Sequence, residues 1–261
     1  MMMEEIFLEA ALEAGDAIMK IYNRISDIRY KSDASPVTEA DHKAEDIILK
    51  RLAKAFPDIP VVAEESVAAG NTPEIFGSMF FLVDPLDGTK EFVNRGSDFT
   101  VNIALIENGL PIAGIVYAPA SAVVYRTNVK HMAEKLIIRN ADVVDAAPIH
   151  CRSRRDPPVA VVSRSHSNAE TEAFLEKIAA SDCVAIGSSL KFCLVAEGLA
   201  DVYPRLGRTM EWDTAAGDAV LRAAGGMTFD LDQTPLRYGK TGQSNDCDFS
   251  NPAFVSWTMR S

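Results

Sequence analysis

Three short acidic segments carry the residue types from which a binding site for divalent cations is built. They are Ala63-Glu64-Glu65-Ser66, then Val83-Asp84-Pro85-Leu86-Asp87-Gly88-Thr89, and far downstream Trp212-Asp213-Thr214-Ala215-Ala216-Gly217. Mg²⁺ prefers oxygen ligands in near-octahedral geometry and is usually held by a few carboxylates together with a substrate phosphate. The Gly88-Thr89 step can also turn backbone N–H groups toward a phosphate at a helix start. The three segments therefore indicate metal-assisted phosphate chemistry.

Composition limits the classes of function that are compatible with the chain. With 261 residues, 48% hydrophobic and 24% charged, it is typical of a globular protein long enough for one core to begin to divide into two lobes. The formal net charge of −11 argues against non-specific nucleic-acid binding, which requires a basic surface. Because the same charge repels phosphate substrates, bound cations must reverse the local sign at a phosphate site.

The chain has no run that approaches the ~20 apolar residues of a membrane span. Its start, Met1-Met2-Met3-Glu4-Glu5, lacks the basic region and apolar block of a signal peptide. Four scattered cysteines form no metal-binding pattern, so we expect reduced thiols and a cytoplasmic protein. Peripheral association with an inner membrane and the oligomeric state stay open. The cysteines are Cys151, Cys183, Cys193 and Cys247.

Hydrophobic periodicity predicts the elements that position the first two acidic segments. Apolar residues recur at helical spacing over 7–22 and again over 38–56. Two short buried strands are predicted at 59–63 and 79–83, and each delivers an acidic residue at its C-terminal end. Open α/β sheets usually bind ligands at that end of their strands.

Further along, an Asn-Gly step predicts a hairpin between 100–107 and 111–117. Periodicity is weak over 126–158, and no element is predicted there, nor over 238–248. Periodicity alone supports an α/β or α+β class. The remaining predicted elements are strands at 159–162, 184–186 and 200–203 and helices at 168–180, 189–197 and 213–224.

The three acidic segments, in this order, resemble the inositol monophosphatase superfamily of Mg²⁺-dependent, Li⁺-sensitive phosphomonoesterases. The resemblance implies a layered α-β-α-β-α sandwich, as in inositol monophosphatase and fructose-1,6-bisphosphatase. Charge and prolines cluster near 154–158, where we place a boundary. An N-terminal α+β lobe, 1–155, would carry most metal ligands, and a C-terminal α/β lobe, 156–261, would carry Asp213 and the nucleotide site.

The resemblance also implies a metal site with two or three Mg²⁺ ions. Asp84 would bridge two cations, which lie ~4 Å apart in such sites and clamp the attacking and leaving oxygens of an in-line displacement. Asp213 is equally a preferred helix-capping residue, and the two roles are compatible. The implied ligands are the carboxylates of Glu64, Asp84, Asp87 and Asp213 and the backbone carbonyl of Leu86, with Glu65 in support.

The resemblance also implies which residues activate the attacking water. Thr89 is implied to hydrogen-bond the attacking water, paired with a carboxylate near the start of the second helix. We take Asp33 as that carboxylate, and Asp41 as an acid that helps to order a further cation or water. Asp33 is also compatible with an ordinary loop acid, since a general base must lie within hydrogen-bond reach of its proton and spacing does not show this.

Two downstream runs resemble the branch of bacterial 3′(2′),5′-bisphosphate nucleotidases. They are Gly187-Ser188-Ser189-Leu190-Lys191-Phe192-Cys193-Leu194-Val195-Ala196-Glu197-Gly198 and Ala200-Asp201-Val202-Tyr203-Pro204-Arg205. The likeness implies hydrolysis of the 3′-phosphate of adenosine 3′,5′-bisphosphate, a by-product of sulfate assimilation, to AMP. The expected partner is therefore a small nucleotide bisphosphate.

A second phosphate, remote from the metals, needs its own charged or hydrogen-bonding partners. Lys191 offers a point charge, Arg205 a planar fork and Ser188 a hydroxyl, while His166 is a candidate contact to the nucleotide. The alternatives are solvated charges for Lys191 and Arg205 and a structural role for His166. The resemblance adds substrate contacts from the metal side, at Glu64, Leu86, Asp87, Gly88, Thr89 and Asp213.

Two other functions stay open at this stage. An inositol or sugar phosphatase of the same superfamily would use the same metals with a different pocket. A cation at Arg205 favours a bisphosphate over a neutral polyol. A non-catalytic nucleotide sensor is the remote alternative, and the presence of every metal carboxylate argues against it.

Overall fold

Seven strands in sequential order form the largest sheet of the computed structural model. The structure describes residues 2–24, 36–75, 79–164 and 168–259, with 36–38 described by backbone alone. The first pair of strands is parallel and the following pairs are antiparallel. The strands are β1 (Val61–Ala63), β2 (Met79–Asp87), β3 (Thr100–Glu107), β4 (Leu110–Ala118), β5 (Val123–Thr127), β6 (Ala133–Arg139) and β7 (Asp142–Pro148).

Two long helices cover one face of this sheet. They are α1 (Met3–Arg24) and α2 (Pro36–Ala55). Their apolar faces bury Phe7, Ile18 and Leu52 against strand residues such as Phe81 and Ile103. The predicted helical periodicity of both segments is therefore confirmed, and its cause is burial of one face against the sheet.

The opposite face packs against a layer of two helices, α6 (Leu190–Ala196) and α7 (Ala215–Ala223). Phe192 and Val220 lie in one continuous core with Leu82 and Ala104 of the sheet. Close approach of α7 requires Gly114 in β4, because a Cβ there would lie 2.6 Å from the Ala216 carbonyl oxygen.

A five-stranded sheet lies on the other side of these helices, in the order β12-β14-β10-β8-β9. Its strands are β8 (Val159–Ser163), β9 (Asp182–Ile186), β10 (Val202–Arg205), β12 (Gly226–Asp230) and β14 (Phe254–Thr258). Helix α5 (Ala169–Lys177) packs Phe174 and Leu175 on its outer face. The layers therefore run α-β-α-β-α, as the resemblance implied.

Four short elements complete the described fold. Helices α3 (Glu64–Ala68) and α4 (Thr89–Val93) follow β1 and β2, and β11 (Thr209–Met210) pairs with β13 (Ser250–Asn251). Among the described residues, no helix combines the length and the apolarity that a membrane span requires. The division into lobes at residue 155 stays a prediction.

Candidate metal centre

Three carboxylates converge at one edge of the seven-stranded sheet. Because β1 and β2 run parallel, with Ala63 opposite Val83, Glu64 and Asp84 follow at neighbouring strand positions. Asp213 reaches the same place from the segment between β11 and α7. Oxygens of Glu64, Asp84 and Asp213 all lie within 4.8 Å of one another. The predicted metal ligands from both ends of the sequence therefore meet in space.

Burial and mutual repulsion make this cluster costly to keep fully charged. Asp84 is 1% exposed, and burial, followed by the charge of Glu64, raises its pKa well above the usual range. Burial and then the charge of Asp213 raise the pKa of Glu64 to about 8. Burial and then the charge of Asp87 raise the pKa of Asp213 to about 7. Either protons or a cation must offset these charges, so the donor set fits a hard divalent cation.

The chain between Asp84 and Asp87 departs from regular pairing with β3. The strand register shifts between these residues, and the Leu86 N–H donates to Oδ1 of Asp84 at 3.0 Å. Asp87 is not a member of the three-carboxylate cluster. Its pKa is raised by burial, although the charge of Lys191 and hydrogen bonds from Ser189 act in the opposite direction. The bulge directs Asp87 toward the C-terminal half of the chain.

A left-handed glycine follows the bulge. Gly88 has a φ of +96°, and a Cβ at this position would lie 2.7 Å from the Asp98 carbonyl oxygen, so glycine alone fits without displacement. The turn leads into Thr89, the exposed first residue of α4. Both residues line the same pocket as the acidic cluster.

Asp41 is the acid that α2 contributes to this pocket. It is buried, and burial, followed by the charge of Glu65, raises its pKa to about 7. Glu65 lies beside it, with a carboxylate oxygen 3.8 Å from Nδ1 of His42, and its backbone N–H donates to Glu45 at 2.8 Å. A second acidic row thus borders the cluster on the side of α2.

Cationic side chains line the same pocket as the acidic cluster, and the pocket has a volume of about 330 Å³. Lys191 is buried and donates to the Ser188 carbonyl. Burial lowers the pKa of Lys191 to about 8, against the opposing charge of Asp87. Arg205 donates from Nη2 to the Arg208 carbonyl at 3.2 Å. Its buried Nε has no hydrogen-bond partner among the described residues. The pocket therefore combines carboxylates that suit cations with side chains that suit anions.

Every predicted site residue that the structure describes lines this one pocket. Asp33 and His166 lie outside the described residues, so their predicted roles stay predictions. The described ones are Asp41, Glu64, Asp84, Leu86, Asp87, Gly88, Thr89, Ser188, Lys191, Arg205 and Asp213.

Arg208 also lines the pocket and was not among the predicted site residues. Its guanidinium pairs with Asp246 at 3.0 Å and donates to Sγ of Cys247 at 2.8 Å. The pairing partners lie in 238–248, where the sequence showed no pattern. The available signal was the Arg205-Leu206-Gly207-Arg208 spacing after a predicted strand.

The inositol monophosphatase family model matches residues 2–255. The chain belongs to this family. It is 45% identical over 249 residues to the 3′(2′),5′-bisphosphate nucleotidase CysQ of Escherichia coli (strain K12), covering 94% of this chain and 96% of the relative. It is 46% identical over 261 residues to the CysQ of Salmonella typhimurium, covering 97% and 98%.

Solved structures of family members agree with the fold. The crystal structure of CysQ from Bacteroides thetaiotaomicron superimposes with a TM-score of 0.81 at 36% identity, covering 98% of this chain and 97% of that chain. An inositol monophosphatase from Anabaena has a TM-score of 0.73 at 24% identity and shares the fold.

Proposed function

We propose that this protein hydrolyses the 3′-phosphate of adenosine 3′,5′-bisphosphate to AMP and inorganic phosphate. The observation that carries the proposal is a single pocket lined by the three-carboxylate cluster and by Lys191 and Arg205. Relatives that cover nearly the whole chain bear the name 3′(2′),5′-bisphosphate nucleotidase. The reaction would remove a by-product of sulfate assimilation.

The family is Mg²⁺-dependent and typically Li⁺-sensitive, and the acidic cluster fits such a cation. Glu64, Asp84 and Asp213 would hold Mg²⁺, with further oxygens from Asp87 and the Leu86 carbonyl. Occupancy by two or three ions is part of the proposal. When bound, the metal stabilises negative charge on the phosphate and makes a bound water more acidic.

The protein's own groups would orient the attacking water. Thr89 offers a hydroxyl at the pocket wall, and its proposed partner is Asp33. Asp41 is a described carboxylate that lines the same pocket, and its pKa of about 7 is suited to proton transfer at neutral pH. We therefore keep Asp41 as the second candidate for the acid that acts on the water, and mutation of each residue distinguishes it from Asp33.

The cationic residues of the pocket would hold the phosphate that does not react. An anion beside Arg205 would provide an acceptor for its buried Nε, which has none among the described residues. Lys191 would add a charge, and Ser188 a hydroxyl at the same wall. His166 is proposed to contact the nucleotide. These residues would fix the substrate by its 5′-phosphate and present the 3′-phosphate to the metals.

An inositol or sugar phosphatase activity is the second candidate, since the acidic cluster alone would serve either substrate. Lys191 and Arg205 favour a substrate with two phosphates, because a neutral polyol would bring no charged acceptor to the buried Nε of Arg205. The presence of Glu64, Asp84 and Asp213 in one cluster argues against a non-catalytic sensor.

A phosphate-release panel tests the proposal. Adenosine 3′,5′-bisphosphate, inositol 1-phosphate and fructose 1,6-bisphosphate are compared with and without Mg²⁺, and with added Li⁺. The highest kcat/KM is expected for the nucleotide, with no turnover in excess chelator and inhibition by Li⁺. A preference for inositol 1-phosphate would establish the second candidate instead.

A further inference from the structure

Ser189 contacts segments that carry the proposed metal ligands, although it does not itself line the pocket. It is 2% exposed. Its Oγ lies 2.7 Å from the backbone carbonyl oxygen of Asp213 and 3.2 Å from Oδ2 of Asp87. The same oxygen accepts a hydrogen bond of 3.0 Å from Nδ2 of Asn102. One hydroxyl thus joins three segments that are distant in sequence.

The Ser189 hydroxyl does not cap the helix that it precedes. Ser189 occupies the N-cap position of α6, where a serine ordinarily accepts a bond from an N–H of the first helical turn. Here the side chain makes no capping bond. The preceding residue, Ser188, has a φ of +51°, an uncommon left-handed conformation for a residue with a side chain. A missing cap beside a strained residue is typical of functional positions.

Asn102 extends the connection to the strand that carries Asp84. The two residues are directly opposite each other in the β2–β3 pair. Asn102 is 1% exposed, and its side chain spans from this pair to Ser189. The hydrogen bonds therefore link the seven-stranded sheet, through Ser189, to the segment that positions Asp213.

The Ser189 hydroxyl both donates and accepts a hydrogen bond. With one proton, Ser189 donates chiefly to the Asp213 carbonyl at the shorter distance, and the approach to Asp87 is the weaker contact. Its oxygen accepts from Asn102. Removal of the hydroxyl would leave an amide donor and a carbonyl acceptor unsatisfied at a nearly dry position, so both would be free to shift.

We infer that Ser189 is a positioning residue for the metal site. Its hydroxyl, held by Asn102, fixes Asp213 and Asp87 relative to each other, so that ligands from both ends of the sequence meet at one cation. The identity of the cation rests on the proposed function. The inference concerns affinity for Mg²⁺, since Ser189 has no place on the substrate-facing wall.

Ser189→Ala provides the direct test. Isothermal calorimetry without substrate should give a Mg²⁺ dissociation constant about 10–100-fold higher than in the wild type, the usual effect of removing a partner that orients a ligand. The kcat for phosphate release at saturating Mg²⁺ should fall much less, because saturation restores the assembled site. An unchanged dissociation constant would overturn the inference.

Ser256→Ala is the matched control. Ser256 is fully buried, and its Oγ lies 2.8 Å from Oγ1 of Thr228 within the five-stranded sheet. The variant removes the same atom from a buried hydrogen bond away from the pocket. Its Tm should fall while its Mg²⁺ dissociation constant stays at the wild-type value. If Ser189→Ala matched this control in both measurements, Ser189 would be merely structural.

Asn102→Ala tests the same connection from its other end and does not depend on whether Ser189→Ala folds. It should weaken Mg²⁺ binding in the same direction, and the double variant should be less impaired than the sum of the two effects. Strict additivity, or unchanged binding in Asn102→Ala, would count against the connection. If the wild type binds Mg²⁺ but releases no phosphate from the bisphosphate, the proposed function fails while these binding results still decide the inference.

Discussion

Glu64 and Asp213 come from different layers of the fold, yet a carboxylate oxygen of each lies within 4.8 Å of the other. After burial, the charge of Asp213 is the largest contribution that raises the pKa of Glu64 to about 8. The two groups repel each other unless a proton or a cation lies between them. Cation binding is therefore coupled to the stability of the folded protein, as well as to any chemistry.

Asp84→Asn should abolish catalysis while preserving the fold. It removes the charge of the most deeply buried carboxylate of the cluster and keeps its shape, so phosphate release should fall by more than the ~10–100-fold that loss of a residue orienting a metal ligand produces. Excess EDTA should stop the wild-type enzyme, and Mg²⁺ should restore it. Asp58→Asn, which removes a charge from an exposed turn after α2, is the control and should retain full activity. Wild-type turnover by Asp84→Asn, or turnover in excess chelator, would exclude the metal mechanism.

The stability of the metal-free protein should fall as pH rises from about 6 to about 8. Glu64, Asp213 and Asp41 have folded pKa values of about 8, 7 and 7, above their ordinary values of 4.5, 3.8 and 3.8. The stability linked to these protons is fully present below the ordinary pKa values and is lost as pH rises through the folded pKa values, because the folded state binds more protons than the unfolded state in between. Thermal unfolding in EDTA should therefore give a lower Tm at the higher pH.

Mg²⁺ should oppose this trend, because it competes with the same protons. The increase in Tm that Mg²⁺ produces should grow over the same interval as the carboxylates ionise. Asp84→Asn should flatten the pH dependence measured in EDTA. The interval ends near pH 8 because Lys191, whose pKa is lowered to about 8, acts in the opposite direction above it. A metal-free Tm that rises from pH 6 to pH 8 would contradict the charge balance of the cluster.

The sequence predicted those helices, strands and turns that have a clear hydrophobic periodicity or a characteristic turn residue. The Asn108-Gly109 step predicted the β3–β4 hairpin, and in the structure both residues adopt the positive φ that this turn favours. Strand β7 was not predicted, since every residue in it is exposed and no face alternates. Helices α3 and α4, with five residues each, are too short for a periodic signal.

In the candidate site, too, some residues could be predicted from the local sequence and others could not. Glu64 and Asp84 follow predicted strands, so local sequence placed them at one edge of a sheet. Arg208 depends on Asp246, 38 residues away, and Ser189 depends on Asp87, 102 residues away. No local pattern marks contacts of this kind, because tertiary packing alone brings the partners together.

Thr89→Ala should lower kcat far more than it raises KM, since the hydroxyl is proposed to act on the attacking water. A loss of about 10²–10⁴-fold is expected if proton transfer depends on it. Thr89→Ser keeps the hydroxyl and should retain most of the activity. Asp33→Asn and Asp41→Asn, measured in parallel, identify the paired acid. An active Asp33→Asn beside an inactive Asp41→Asn would transfer that role to Asp41. A Thr89→Ala enzyme with only KM changed would remove Thr89 from the chemistry.

Arg205→Ala should weaken the use of the second phosphate without damaging the metal site. A charge-assisted hydrogen bond contributes roughly 1.5–3 kcal/mol, so kcat/KM for adenosine 3′,5′-bisphosphate should fall by about 10–150-fold. The value for 3′-AMP should hardly change, because that substrate lacks the 5′-phosphate. Arg139→Ala, at an exposed position that does not line the pocket, should leave both values unchanged.

The ratio between the two substrates separates recognition from general damage. A distorted fold lowers kcat/KM for both substrates alike, whereas loss of a phosphate contact lowers it for the bisphosphate alone. Arg208→Ala, measured in the same way, shows whether the Arg208 guanidinium also binds the 5′-phosphate or only pairs with Asp246. If Arg205→Ala lowered both substrates equally, Arg205 would be structural, and the cationic residues of the pocket would no longer distinguish a bisphosphate from a monophosphate.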